Sequence, residues 1–190
     1  MEYIIIIISA IFVNNAVLIQ FLGVCPFLGV SKRFSTAAGM GMSVTFVITI
    51  ASICTYLCYS FILHPLGIEF LQVIINILII ASLVQMVEII LKKVSPALYQ
   101  ALGVFLPLMS TNCCIFGVCL IIIQYEYTLI KSVVYAASTG LGFALAMVVF
   151  AGLREQLEFA PIPKSMQGVP IALVTAGLLA MAFMGFSGIV

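Results

Sequence analysis

Long apolar runs alternate with short polar breaks along the whole chain. A helix needs about 20 apolar residues to cross the hydrocarbon of a bilayer. Six runs meet that length, near residues 3–24, 36–62, 69–91, 97–124, 128–153 and 169–189. The breaks "SKRFS", "HPLGIE", "KKVSP", "QYEYT" and "REQLEFAPIPK" collect most of the charges and several prolines. The pattern predicts an all-α membrane protein, one integral-membrane domain over residues 1–190, with six transmembrane helices joined by short loops.

Composition rules out a water-facing surface. Hydrophobic residues make up 65% of the chain and charged residues 7%, with a mean hydropathy of +1.36; a soluble domain carries roughly a quarter charged residues. A net charge of +1 excludes a general nucleic-acid binder. The N-terminal "MEYIIIIISAIF" is acidic and no small-residue cleavage pattern follows it, so it is expected to stay as a membrane helix and not to act as a signal peptide. Lys32, Arg33, Lys92, Lys93, Arg154 and Lys164 fall in the first, third and fifth loops, and only Lys131 falls on the other side. The positive-inside rule then makes those three loops cytoplasmic and places both termini on the outer side.

Polar residues inside the apolar runs are the departures that carry information. Asn14, Asn15 and Asn112 lie several residues from any charged loop, and unpaired polar groups in hydrocarbon cost free energy. They coincide with helix disruptors: Pro107 lies shortly before Asn112, and Gly23, Pro26 and Gly29 surround Cys25. Backbone freed at membrane depth is tolerated only when buried in protein or lining a cavity. Helices one and four are therefore expected to be broken near their middles, with the breaks facing each other and Asn side chains re-satisfying the backbone. "VNNAVLIQFLGVCPF" and "PLMSTNCCIFGVCL" each carry Asn, Gly-Val, Cys and Pro. With three helices per half, about 1–93 and 94–190, corresponding helices run in opposite directions, the pattern of an inverted repeat.

The six cysteines all sit in apolar runs, which argues against a secreted disulfide scaffold. Cys54, Cys58 and Cys119 read as small packing residues. Cys25 and Cys113 differ, because each falls at an expected break where backbone N–H groups can favour a thiolate. Two thiols cannot complete a four-thiolate iron site. Either Cys114 and another residue join them, or a partner supplies the rest. Neighbouring Cys113 and Cys114 point about 100° apart on a helix, which favours one ligand from each break and two from another chain. Glu88 and Lys92 have the spacing of an ordinary helical ion pair, and Ala172, Ala176 and Ala180 form a small-residue ladder suited to close helix packing. Nucleotide-loop and zinc-protease motifs are absent, and His64 has no nearby base or nucleophile in the sequence.

The segments "VNNAVLIQFLGVCPFLGVSK", "LGVFLPLMSTNC", "VVFAGLRE" and "VPIALVTAGLLAMAFMGFSG" resemble the RnfA/NqrE family through essentially the whole chain. "VNN" and "CPF" are closer to its Rnf branch. The resemblance implies a membrane subunit of an ion-translocating ferredoxin:NAD oxidoreductase in the bacterial inner membrane. It also implies a [2Fe–2S] cluster shared with a homologous, oppositely oriented RnfE-like subunit. Carried over, Cys25 and Cys113 are its two ligands from this chain. Asn14, Asn15 and Asn112 become candidates for the cluster environment or an ion path, with flavins and the other iron–sulfur centres on further subunits. The alternatives are a subunit of the related Na⁺-translocating NADH:quinone reductase, or a stand-alone secondary transporter.

Overall fold

In the computed structural model, residues 2–67, 69–94, 100, 111–161, 163 and 166–188 are described, and they are helical with no strand among them. Helix α1 (Glu2–Ile8) continues into a π-helical turn, Ser9–Val13. After an irregular stretch the chain forms α2 (Val24–Val30), then the long α3 (Phe34–Cys58), which runs on through a π turn to Leu63. Helices α4 (Gln72–Val94), α5 (Cys113–Gln124), α6 (Leu129–Glu158) and α7 (Val169–Met184) follow.

Among the described residues three stretches are long and apolar enough to cross a membrane: Phe34–Leu63, Gln72–Ile90 and Leu129–Glu158. They match the expected second, third and fifth spans. Tyr3–Val13, Cys113–Gln124 and Val169–Met184 are shorter apolar helices. The first half of the expected fourth helix, Pro107 included, lies outside the described residues, as does Lys164. Helix α6 runs on to Glu158, beyond the expected end at residue 153. The charges of "REQLE" do not stop a helix, and termination waits for Pro161, which disfavours helical backbone before it.

The spine of the fold is the pair α3 and α6. A Cβ on Gly41 would meet Ala144 Cβ at 2.8 Å, and one on Gly140 would meet Thr45 Cα at 2.8 Å, so small residues let these backbones touch. Met40, Val44 and Ile48 of α3 pack with Phe143, Met147 and Phe150 of α6 and with Ile115, Val118 and Ile122 of α5 in one core. Helix α4 buries a single stripe, Asn76, Ile80, Val84 and Val87, and leaves Ile77, Leu78 and Ile89 exposed, as a lipid-facing helix does. Helix α7 adds the small-residue ladder: Ala172 and Ala180 are buried, and Ala176 packs against the core.

Candidate metal centre at the break in helix one

The interruption of the first expected helix spans residues 14–23. The π turn ends when Asn14 N–H donates to Ser9 O at 2.6 Å, and the backbone then leaves the helical region. Asn15 is fully buried, and its side chain replaces the missing helical bonds. Its Oδ1 accepts from Val17 N–H at 3.1 Å and Leu18 N–H at 3.4 Å. Its Nδ2 donates to Ile11 O and, across to α6, to Gly142 O, both at 3.0 Å. One amide thus ties both sides of the break to the spine. Gly142 can serve only because it is bare there: an added Cβ would lie 3.1 Å from Ala10 O and 3.3 Å from Asn15 Nδ2.

The chain re-enters helix through two left-handed residues, Phe21 (φ 55°) and Gly23 (φ 79°). Pro26 does not break the helix. It is the third residue of α2, in a first turn whose N–H groups have no intrahelical acceptor, so the missing donor costs nothing there. Cys25 likewise lies in that first turn, just past the break, and is exposed.

On the other side, α5 begins at Cys113, and Asn112 caps it: Asn112 Oδ1 accepts from Cys114 N–H at 3.0 Å. The two segments meet at this point. Gly23 N–H donates to Cys113 Sγ at 2.9 Å. A Cβ on Gly23 would sit 2.7 Å from Phe143 Cε2 and 3.2 Å from both Asn112 Oδ1 and Cys114 Cβ, so the approach requires glycine. Leu22 fills the space over Gly117 of α5 in the same way. The expected facing of the break in helix one and the Cys113 segment is therefore observed.

The cysteines separate by exposure. Cys25 and Cys113 are exposed; Cys114 and Cys119 are fully buried in the core; Cys54 and Cys58 are half-buried. Among the described residues no group of three or more His, Cys, Asp or Glu side chains is placed to hold a metal ion. Two exposed thiols, one of them accepting a backbone N–H, are of the donor type that a thiolate-held iron site uses.

The three candidate asparagines part company. Asn15 and Asn112 are buried at the break, and Asn112 Nδ2 has no partner. Asn14 is exposed, bonded to Ser9 Oγ at 3.2 Å, and lines a separate cleft of about 370 Å³ with Gln20, Gln124, Tyr127 and Tyr135. Sequence reasoning passed over Asn76, which is buried on α4 with Nδ2 unpartnered. Its signal was the same as theirs, an amide inside the apolar run "VIINILII". It also passed over Gly142, whose only signal is the Gly-x-Gly of "GLGF".

The family described as "Rnf-Nqr subunit, membrane protein" matches residues 3–190. The protein of the Na⁺-translocating ferredoxin:NAD⁺ oxidoreductase complex of Acetobacterium woodii that carries the letter A among its subunits is 60% identical, covering 99% of this chain and 98% of its own. Its counterparts in the ion-translocating oxidoreductase complexes of Syntrophotalea carbinolica and Vibrio cholerae serotype O1 are 55% and 48% identical. These alignments cover 97% and 100% of this chain and 96% and 98% of the relatives.

Proposed function

This chain belongs to the Rnf-Nqr family of membrane subunits, and from that premise we propose that it is the RnfA-type component of an ion-translocating ferredoxin:NAD oxidoreductase complex. In this reading Cys25 and Cys113 supply two of the four thiolates of a [2Fe–2S] cluster, and a homologous RnfE-like subunit supplies the other two. The carrying observation is the Gly23 N–H to Cys113 Sγ bond of 2.9 Å, which joins the break in helix one to the start of α5 with both thiols facing outward. The cluster, when bound, supplies one-electron transfer across the low-dielectric layer. This chain's residues supply the frame: Asn15 holds the break to α6, Asn112 fixes the first turn of α5, and Gly23 lets the two approach.

The same reading takes the chain as an inverted 3+3 repeat in the inner membrane with both termini outside. Gly39 and Gly41 on α3 and Gly140 and Gly142 on α6 form the same Gly-x-Gly on corresponding helices of the two halves. Six of the seven tyrosines, Tyr3, Tyr56, Tyr59, Tyr125, Tyr127 and Tyr135, lie toward the helix ends away from the basic loops, as an outer aromatic belt requires. Coupling to Na⁺ or H⁺ export would follow if the cluster's redox charge shifts the break; Asn14, Asn15 and Asn112 are the polar groups placed to respond.

The test is Cys25→Ala and Cys113→Ala in the purified complex, followed by iron content, EPR spectrum and ferredoxin:NAD electron transfer. Each variant is expected to lose the cluster signal and at least 100-fold in turnover, whereas Cys54→Ala keeps both. Full iron content with normal turnover in either site variant rejects the ligand assignment. Ion transport by the isolated chain in liposomes, with the cysteines dispensable, would favour a transporter instead.

A further inference from the structure

We infer that Arg154 is the positioning residue for the Cys25 thiol, acting through the short helix that carries it; this rests on the ligand reading above. Helix α2 has seven residues, and isolated helices shorter than about 12–15 residues are marginal. Its N-cap, Gly23, offers no side-chain bond, and its last four carbonyls have no intrahelical donor.

Thr36 Oγ1 reaches one of these carbonyls, Val30 O, at 3.2 Å, and Arg154, near the far end of α6, reaches another. Its Nη1 donates to Leu28 O at 2.8 Å and to Oγ of Ser31, the residue that caps α2, at 3.0 Å. A fixed positive charge at a helix C-terminus also opposes the negative end of the helix dipole. One turn earlier on α6, Phe150 stacks on Phe27 of α2 with centroids 4.2 Å apart and planes at 16°. The Arg154 guanidinium carbon itself lies 5.8 Å from the Phe150 ring centroid.

Helix α6 thus grips α2 on its side-chain face and at its terminal acceptors, which fixes both the rotation and the height of the helix. Cys25 lies two residues before Phe27, so the direction of its sulfur is set by this grip. Neighbouring charges support the same junction: Glu155 Oε1 accepts from Phe34 N–H at 3.4 Å, anchoring the start of α3, and Lys32 and Glu158 line the cleft of about 390 Å³ beside Arg154.

Loosening the grip changes the environment of a ligand without removing one. The experiment compares Arg154→Gln, Arg154→Lys and Cys25→Ala in the intact complex. The readouts are iron content, EPR g-values, midpoint potential by redox titration, and amide exchange over residues 24–31. Arg154→Gln is expected to keep its iron while shifting g-values and potential and speeding α2 exchange at least 10-fold. Arg154→Lys, which keeps the charge and reaches one acceptor, should recover most of that change. Wild-type g-values, potential and exchange in Arg154→Gln, with iron lost from Cys25→Ala, overturn the positioning role. If Arg154→Gln does not assemble, Ser31→Ala decides, since it removes one acceptor and leaves the charge: smaller shifts in the same direction support the role, and an unchanged spectrum and exchange overturn it. Iron retained by Cys25→Ala overturns the ligand assignment itself and the positioning role with it.

Discussion

Helices α2 and α5 each present one thiol at an N-terminal turn, and they are held in opposite ways. Helix α5 is closed by its own neighbours in sequence. Asn112 caps its start, and its end is a Schellman turn in which Tyr127 N–H reaches Ile122 O at 3.2 Å and Glu126 N–H reaches Ile123 O at 3.1 Å. Helix α2 has neither local device. Its start is an uncapped glycine, and its end is met in part by Thr36 Oγ1, which donates to Val30 O at 3.2 Å, and in part by Arg154, 126 residues after Leu28. One sulfur therefore sits on a locally specified helix and the other on a helix that exists through its tertiary contacts.

The sharpest way to break that contrast is Phe27→Ala. Phe27 is buried and stacked, so truncation should cost about 3–5 kcal/mol. Amide exchange of the purified complex should show protection lost over 24–30 and retained over 113–124; equal loosening of both helices would defeat the distinction. Asn112→Ala removes the α5 cap for about 1 kcal/mol, partly offset because the orphaned Nδ2 goes with it. Here α5 should fray only at its first turn, and unwinding of the whole helix would show that it too leans on distant contacts. The smallest effect tests the other end. Glu126 holds φ 48° where the turn favours glycine, so Glu126→Gly should raise stability by about 1 kcal/mol, read as a higher unfolding temperature in detergent. A lower temperature would mean that the Glu126 side chain holds the turn.

What the sequence disclosed followed from length and from polarity out of place. The three full spans were readable because apolar length alone specifies them. The break in helix one was readable because Asn and Gly in hydrocarbon demand an explanation, yet its position was not. Pro26 is the conspicuous residue, but a proline in a first turn is harmless, and the true disruption begins upstream at Asn14, where nothing but an amide marks it. The sequence singled out Cys25 and Cys113 by their place at the expected breaks, and these are the two exposed thiols. The partners that hold the site, Gly142 for Asn15 and Arg154 for α2, lie more than 120 residues away, and no local pattern predicts a bond across that distance.

The touching backbones of α3 and α6 bear on what holds the short helices in place. At 1.5 Å per residue, α5 measures about 18 Å, well short of the roughly 30 Å hydrocarbon layer, and α2 is shorter still. Neither helix reaches across the layer by its own length. Helix α6 holds both sides of the first break instead, through Gly142 O, which accepts from Asn15 Nδ2, and Arg154, which donates to Leu28 O. The long helices thus set where the sulfur-bearing pieces sit.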